Sequence, residues 1–177
     1  GAILNYDSRD NIFTPDNGMS AAIQYVFFDP VFGSDKTFQR LFSHWLGYSK
    51  LFNDLQAALR LDYQNSFGDI PFYLLPYINL RGIPAMRYQG KSTYLIESEF
   101  RWDFNFRWSL IGFTGYGEAQ PINKDIYDKQ TAYNYGIGIS YDINVSKLST
   151  VSNLKGGFEI ALRFVTPNQF PKTKARF

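Results

Sequence analysis

The chain has 177 residues, enough for one domain, and its lack of cysteine excludes disulfides and thiol chemistry. The net charge of +2 is close to neutral and no basic block occurs, so nucleic acid is not expected as a partner. No apolar run is as long as about 18 residues, the length that indicates a transmembrane helix. Aromatic residues nevertheless make up 19% of the chain at a mean hydropathy of −0.27, which is typical of strands that present lipid-facing and lumen-facing residues in turn.

Alternating apolar and polar residues predict eight antiparallel strands that follow one another along the chain. We expect them at residues 2–7, 19–28, about 37–49, 54–64, 92–103, 107–118, 132–143 and 156–164. The register of the third strand stays open, because two sets of bulky residues with opposite parity compete for one face. One set is Phe38, Phe42 and Tyr48, and the other is Leu41 and Trp45. No basic or apolar leader precedes the first strand, so we expect the sequence to begin inside a mature polypeptide.

The fifth predicted strand divides its side chains sharply between two faces, because successive residues of a strand point to opposite sides. One face carries Tyr94, Ile96, Phe100 and Trp102, and the other carries Glu97, Glu99, Arg101 and Asp103. A soluble β-sandwich cannot bury the charged face, and it would expose the aromatic face at the risk of aggregation. A transmembrane barrel needs both faces, so the pattern predicts an all-β, transmembrane, antiparallel up-and-down β-barrel.

A long segment between the fourth and fifth strands, residues 65–91, contains no predicted strand. Segments of this length without secondary structure are usually functional or disordered. Its aromatic content, which includes Phe67, Phe72 and Tyr77, argues against disorder. We therefore expect this loop to pack inside the barrel, with Arg81 and Gly82 near its tip.

Few residues are candidates for catalysis. His44 is the only histidine, and without a recognisable nucleophile beside it we expect a barrel-wall or rim residue. Glu97 and Glu99 are neighbours on one strand face and could form an acid–base pair, although a ring of lumen charges is the commoner arrangement. Gly136 and Gly138 lack the third glycine and the helix of a dinucleotide-binding loop. We therefore expect no enzyme activity and no catalytic, cofactor-binding or metal-ligating residue.

Two short motifs follow one another along the chain. The first is an opening turn with the spacing D-x-R-D-x-x-F-x-P-x-x-G, and its residues are Asp7, Arg9, Asp10, Phe13, Pro15 and Gly18. The second joins Arg81-Gly82 in the long loop to Glu99-Phe100-Arg101 on the next strand. Over residues 1–164 this arrangement resembles the BamA/TamA superfamily of outer-membrane assembly barrels, from which Ile83 departs because the family usually has an aromatic residue there.

The resemblance implies that the long loop is extracellular and folds back into the lumen, where Arg81 pairs with carboxylates of the following strand. A further acidic partner is usual in the family at residue 115, where this chain has Gly115. The pairing should therefore fall on Glu99, with Glu118 as another candidate. The alternative is an arginine that points into solvent. The residues expected in this loop–lumen lock are Arg81, Gly82, Glu97, Glu99, Arg101 and Phe113.

The resemblance also implies a protein of the bacterial outer membrane that inserts or translocates other outer-membrane proteins without a cofactor. Family barrels have sixteen strands and this chain resembles their second half, so it is either half of such a barrel or a small closed barrel. Its expected partners are outer-membrane lipid, client outer-membrane proteins, and a second copy or missing half-barrel.

Two other functions stay open at this point. A structural or binding barrel without assembly activity is the main alternative, and a membrane-embedded hydrolase is disfavoured by the lone His44. The barrel region is expected at residues 1–164. Residues 165–177 form a separate tail in this interpretation, because Pro167 and Pro171 do not suit a central strand.

Overall fold

The computed structural model describes residues 1–11, 15–105, 107–122, 128–144 and 155–164, with backbone alone for 142–144 and 155–164. It contains one eight-stranded antiparallel sheet in which every strand lies beside its neighbours in sequence. The strands are β1 (Ala2–Asp7), β2 (Gly18–Phe28), β3 (Phe38–Phe52), β4 (Leu55–Gly68), β5 (Ser92–Asn105), β6 (Trp108–Gln120), β7 (Gln130–Asn144) and β8 (Lys155–Phe164). The all-β, antiparallel, up-and-down prediction is confirmed, and the predicted tail 165–177 lies outside the described residues.

The largest differences from the predicted boundaries are at the hairpin of β3 and β4. The two strands pair from Phe38↔Gly68 to Phe52↔Leu55, so β3 ends three residues later and β4 four residues later than expected. Side-chain alternation fades after Gln64, but the backbone of Asn65 and Ser66 continues to pair with β3. A register shift between Lys50 and Phe52 lets the hairpin close in a short turn. Pairing with a neighbouring strand therefore extends the ladder beyond the residues that alternate.

The two faces of the sheet have different surroundings. Residues 69–91, between β4 and β5, cover one face, which we call the loop face, and we call the opposite side the outer face. The structure also decides the register of β3, because Phe38 is buried on the loop face and His44 pairs there with Asp62 of β4. Leu41 and Trp45 consequently lie on the outer face, since they have the other parity.

The buried core lies between the covering loop and strands β5–β7. Its members are Ile78, Leu80, Ile83 and Tyr88 of the loop with Leu95, Ala119 and Ala132 of the strands. The loop is tied to itself by backbone bonds from Ile78 N to Tyr88 O (3.0 Å) and from Gly90 N to Pro76 O (3.0 Å). Lys91 N donates to Gln120 O at 2.8 Å, which fixes the end of the loop to β6. The loop was expected to pack inside a barrel, and in this open sheet it packs against the strands.

In the part of the chain whose side chains are described, the outer face exposes many aromatic and aliphatic residues. They include Ile23, Tyr25, Leu61, Tyr63, Tyr94, Ile96, Phe100, Trp102, Trp108, Tyr133, Tyr135, Ile137 and Ile139. Among the described residues, β1 and β8 do not pair with each other, so the sheet is open. No helix in this part of the chain is long and apolar enough to cross a membrane.

Candidate functional site

Three cross-strand rows on the loop face position the candidate site, which we call the Arg81 cluster (Arg81, Glu97, Glu99, Phe113 and Asn134). Each row takes one residue from β5, β6 and β7 in that order. The rows are Leu95–Gly117–Ala132, Glu97–Gly115–Asn134 and Glu99–Phe113–Gly136. Every row contains a glycine, which leaves space above the sheet for a loop residue.

Arg81 reaches down from the loop and contacts three of these strand residues. Its Nε lies 2.8 Å from Glu97 Oε1, and its Nη1 donates to Glu99 Oε2. Its guanidinium carbon lies 5.0 Å from the centre of the Phe113 ring, in a cation–π arrangement. The contact predicted between Arg81 and Glu99 is therefore present, and Arg81 does not project alone into solvent.

Glu97 is the more deeply buried of the two carboxylates. Its side chain is 2% exposed, whereas that of Glu99 is 28% exposed. A buried carboxylate without a cation is costly, so Arg81 is needed most by Glu97. Sequence reasoning gave the greater weight to Glu99. Both residues lie on the same face of β5. Their positions in the sequence therefore do not show which of the two carboxylates the loop covers.

Gly82 forms the turn that presents Arg81. Its φ of +80° lies in the left-handed region, which favours glycine, and the next residue closes the turn with a bond of 3.1 Å from Ile83 N to Leu80 O. Leu80 and Ile83 on either side are buried in the core. The Arg-Gly pair therefore combines a charged side chain with a backbone that can turn sharply enough to aim it.

Asn134 was not expected in the site, although it was assigned to the inward face of its strand. Its Nδ2 donates to Glu97 Oε2 at 3.1 Å and to the Arg81 carbonyl oxygen at 3.1 Å. The residue is 2% exposed, and its Oδ1 accepts no hydrogen bond from the described residues. A polar residue amid the alternating tyrosines and isoleucines of β7 was the only available signal, and it does not identify a partner.

Gly115 and Gly117 form a notch on β6 that receives the loop. A Cβ built on Gly117 would lie 2.5 Å from Ile78 Cγ2, and one on Gly115 would lie 2.9 Å from Leu80 Cδ2 and against Asn134 Oδ1. At both positions a side chain would therefore overlap atoms that are already packed. The space at residue 115 is filled by Leu80 and Asn134 rather than left empty.

Arg101, an expected member of the lock, and Glu118, a further candidate, have other partners. Arg101 forms a two-pronged ion pair with Asp103 of its own strand (Nε–Oδ1 2.9 Å, Nη2–Oδ2 3.2 Å). Glu118 lies on the outer face, where it accepts hydrogen bonds from Tyr116 Oη (2.7 Å), Gln120 Nε2 (2.5 Å) and Lys129 Nζ (3.2 Å). Its suggested pairing with Arg81 is wrong, because even-numbered residues of β6 point away from the loop.

The opening turn between β1 and β2 is held by its own motif residues. Asp7 forms a two-pronged pair with Arg9 (Nη2–Oδ2 2.6 Å, Nε–Oδ1 2.9 Å), and these bonds raise the pKa of Arg9 above its usual value. Asp10 accepts the backbone N–H groups of Asp16 (3.0 Å) and Asn17 (3.1 Å). Phe13 of the motif lies outside the described residues.

Gly18 ends the opening turn with a φ of +111°, and a Cβ there would lie 2.5 Å from Ser8 O. A glycine is therefore required on two separate grounds, the backbone conformation and the close approach of another chain segment. Sequence alone indicated a turn glycine but not the contact with the Ser8 carbonyl.

The opening turn and the Arg81 cluster approach each other on the loop face. Pro15 of the turn borders a cleft of about 180 Å³ whose other walls are Tyr48, Gln56, Ala57, Ala58, Glu99 and Arg101. Gln56 Nε2 donates to Asp16 Oδ1 at 2.5 Å, which ties the turn to β4. Glu99 thus faces Arg81 on one side and this cleft on the other. The opening turn and the Arg-Gly loop are far apart in the chain, yet both lie beside Glu99 of β5.

The remaining titratable cluster joins His44, Asp62 and Arg60. His44 Nδ1 lies 2.5 Å from Asp62 Oδ1, and Arg60 Nη2 lies 2.5 Å from Asp62 Oδ2. In the part of the chain that the structure describes, no group of three histidine or acidic residues could hold a metal ion. Glu97 and Glu99, the other pair of neighbouring carboxylates on this face, are both ion-paired to Arg81.

Comparison with known proteins adds no identity to this geometry. No protein-family model matches the chain, and the curated proteins contain no match to it.

Proposed function

We propose that this chain forms part of an outer-membrane β-barrel of the BamA/TamA type, which inserts or translocates other outer-membrane proteins. The observation that carries the proposal is the docking of Arg81 on the charged face of β5, where Glu97 and Glu99 receive it. That contact joins the two sequence features, an Arg-Gly loop and an acidic strand face, on which the resemblance depends. It also leaves the opposite face free for lipid.

The outer face supports a membrane setting because its aromatic residues occur at two levels. Tyr94, Tyr116 and Tyr133 form one set, with ring centres 6.2 Å and 5.0 Å apart along the series. Trp102, Phe104, Trp108 and Tyr141 form the other, in contacting pairs at 5.9 Å and 4.7 Å. Aliphatic residues such as Ile96, Ile137 and Ile139 lie between the two levels and are exposed.

The separation of these levels suits a bilayer. Trp102 follows Tyr94 by eight positions on β5, which corresponds to about 26 Å along a strand and about 20 Å along the normal of a membrane crossed at a tilt of about 40°. The apolar band of outer-membrane barrels is about 25 Å tall and is bordered by aromatic girdles. At the tyrosine level Glu118 is buried and accepts bonds from Tyr116 and Lys129, and the exposed Lys129 can reach headgroups and water.

The free edges of the sheet give the proposed mechanism. All six residues of β1 are exposed, and this strand pairs only with β2 in the described part of the chain. Within a membrane such an edge must pair, because unsatisfied backbone groups are costly in lipid. Pairing with a neighbouring strand of the same barrel closes the wall, and transient pairing with a client strand would template that client by strand addition. Neither step requires a cofactor.

The proposal separates into two experiments. Purified chain refolded in detergent and then in lipid vesicles should give a β-rich circular dichroism spectrum and remain in the vesicle fraction after carbonate washing. Vesicles that contain it should then accelerate the protease-protected insertion of an unfolded outer-membrane protein relative to empty vesicles. Retention without acceleration would identify a structural or binding barrel, and a chain that stays in the aqueous fraction would refute the membrane assignment.

A further inference from the structure

We infer that Asn134 is a positioning residue of the Arg81 cluster, which fixes Glu97 and the backbone of the loop in one arrangement so that Arg81 docks. The inference deepens the proposed function, and it rests on that function only where docking of the loop is taken to matter for the activity of the barrel. The contacts themselves lie within the described residues and need no assumption about lipid or clients.

The Asn134 amide makes a double contact. One nitrogen, Nδ2, donates both to Glu97 Oε2 on β5 and to the Arg81 carbonyl oxygen in the loop, each at 3.1 Å. Glu97 uses its other oxygen, Oε1, for Arg81 Nε. Glu97 is therefore held from two sides, and the amide and the guanidinium act on different oxygens of one carboxylate.

Asn134 can reach Glu97 only over a glycine. Glu97, Gly115 and Asn134 occupy one row across β5, β6 and β7, so the two polar residues are separated by a whole strand. A Cβ on Gly115 would press against Asn134 Oδ1. The glycine therefore supplies the space and Asn134 fills it.

Both side chains are also buried. Asn134 and Glu97 are 2% and 3% exposed, so water cannot replace a hydrogen bond that either of them loses. Both side-chain hydrogen bonds that Asn134 makes within the described residues are donated by Nδ2. The loss of this nitrogen would therefore leave Glu97 Oε2 and the Arg81 carbonyl oxygen without the bonds that Asn134 gives them.

The test measures protease cleavage within residues 71–91 on the refolded full chain in detergent. Asn134→Ala should raise the cleavage rate roughly tenfold through loss of two buried hydrogen bonds. Ser140→Ala, on the same strand and face but outside the cluster, should leave the rate within about twofold. A cleavage rate unchanged by Asn134→Ala would overturn the inference.

A second measurement separates positioning from general stabilisation. The coupling between Arg81→Ala and Glu97→Gln, measured as non-additivity of cleavage rates, should fall by at least half when Asn134 is replaced by alanine, because Glu97 is no longer aimed. A merely structural Asn134 would change all rates by one factor and leave this coupling intact, which would refute the inference. The cleavage rates do not depend on vesicle retention or client insertion. A failure of the proposed function would therefore show in those two assays and not in this one.

A third measurement exchanges the carboxylate of Glu97 and the amide of Asn134. It remains informative if the Asn134→Ala variant folds poorly. Asn134→Asp should place two carboxylates side by side and open the loop more than Asn134→Ala does. The double variant Glu97→Gln with Asn134→Asp restores one amide and one carboxylate to the row, and its cleavage rate should fall below that of Asn134→Asp alone. A rate equal to or above that of the single variant would contradict the inference.

Discussion

Asn134 and Glu97 belong to strands that do not pair with each other, yet the amide of one donates to the carboxylate of the other at 3.1 Å across Gly115. The glycine of the intervening strand removes the side chain that would separate them. The charged loop residue Arg81 then docks on a carboxylate that is already held. A site of this kind depends on a residue with no side chain as much as on the residues that make the contacts.

Replacement of Arg81 should destabilise the loop more through Glu97 than through Glu99. Arg81→Ala leaves a buried carboxylate without its cation, which typically costs about 3 to 5 kcal/mol and somewhat less here because Arg81 is itself partly exposed. The free energy of unfolding in detergent measures this loss. Arg81→Lys, which keeps the charge but not the fork, is the matched control and should recover part of it.

The same variants allow the two carboxylates to be compared. In double-mutant cycles with Arg81→Ala, we expect the coupling energy of Glu97→Gln to exceed that of Glu99→Gln, because Glu97 is 2% exposed and Glu99 is 28% exposed. Equal couplings, or strict additivity for both pairs, would mean that solvent screens the whole cluster. The loop would then be held by its apolar residues alone.

The fit of the loop into β6 predicts that alanine destabilises the protein at one glycine of that strand and has almost no effect at another. Gly117→Ala places a Cβ 2.5 Å from Ile78 Cγ2, and overpacking of this kind typically costs about 1 to 3 kcal/mol. Gly112→Ala lies on the outer face with no atom within 4 Å of its Cβ, so its cost should be near zero. Denaturant titration in detergent compares the two, and equal costs would show that the loop tolerates displacement from this strand.

The membrane assignment predicts different costs for arginine on the two faces of β7. Ile139 is exposed on the outer face between the aromatic levels, and its neighbour Ser140 is half-buried on the loop face. Ile139→Arg should cost about 2 to 4 kcal/mol in lipid vesicles, whereas Ser140→Arg should cost much less. Vesicle unfolding titrations measure both. Equal costs, or a smaller cost at Ile139, would contradict a lipid-facing outer side.

The opening turn predicts a local loss of stability at Asp10. Asp10→Ala removes the acceptor of the Asp16 and Asn17 backbone N–H groups and should cost about 1 kcal/mol, since each exposed bond is worth little on its own. Asp10→Asn keeps one acceptor oxygen and should cost less. Hydrogen exchange at Asp16 and Asn17 locates the effect, and unchanged protection in the alanine variant would show that the carboxylate does not hold this turn.

Much of the fold was predictable because one rule, alternation with a period of two, acts on every strand. It located all eight strands, and for β5 and β7 it assigned each residue to its face, as the exposure of Tyr94 and Ile139 against the burial of Glu97 and Asn134 confirms. It left the register of β3 open, since bulky residues of both parities occur there. The burial of Phe38 and the pairing of His44 with Asp62 decide that register.

The site was predictable in part. The order of Arg81, Glu97 and Glu99 indicated an ion pair between a loop and a strand, and that pair is present. Asn134 and the notch at Gly117 could not be foreseen, because they depend on which residues of β5, β6 and β7 share a row. The misplacement of Glu118 has the same cause. Its side chain points away from the loop, because Glu118 pairs with Tyr94 of β5 on the outer face.

The long-range contact between Arg81 and Asn134 also sets an order of folding events. The two residues are 53 positions apart, whereas every strand pairs with its immediate successor in sequence. Hairpins close at short range and form early, but the loop can reach its final position only after β7 has joined the sheet. A chain that has formed only β1 to β5 already offers Glu97 and Glu99 to Arg81, but it lacks the notch and the amide that complete the site. The complete set of contacts that holds the docked loop therefore requires the seventh strand to be in register.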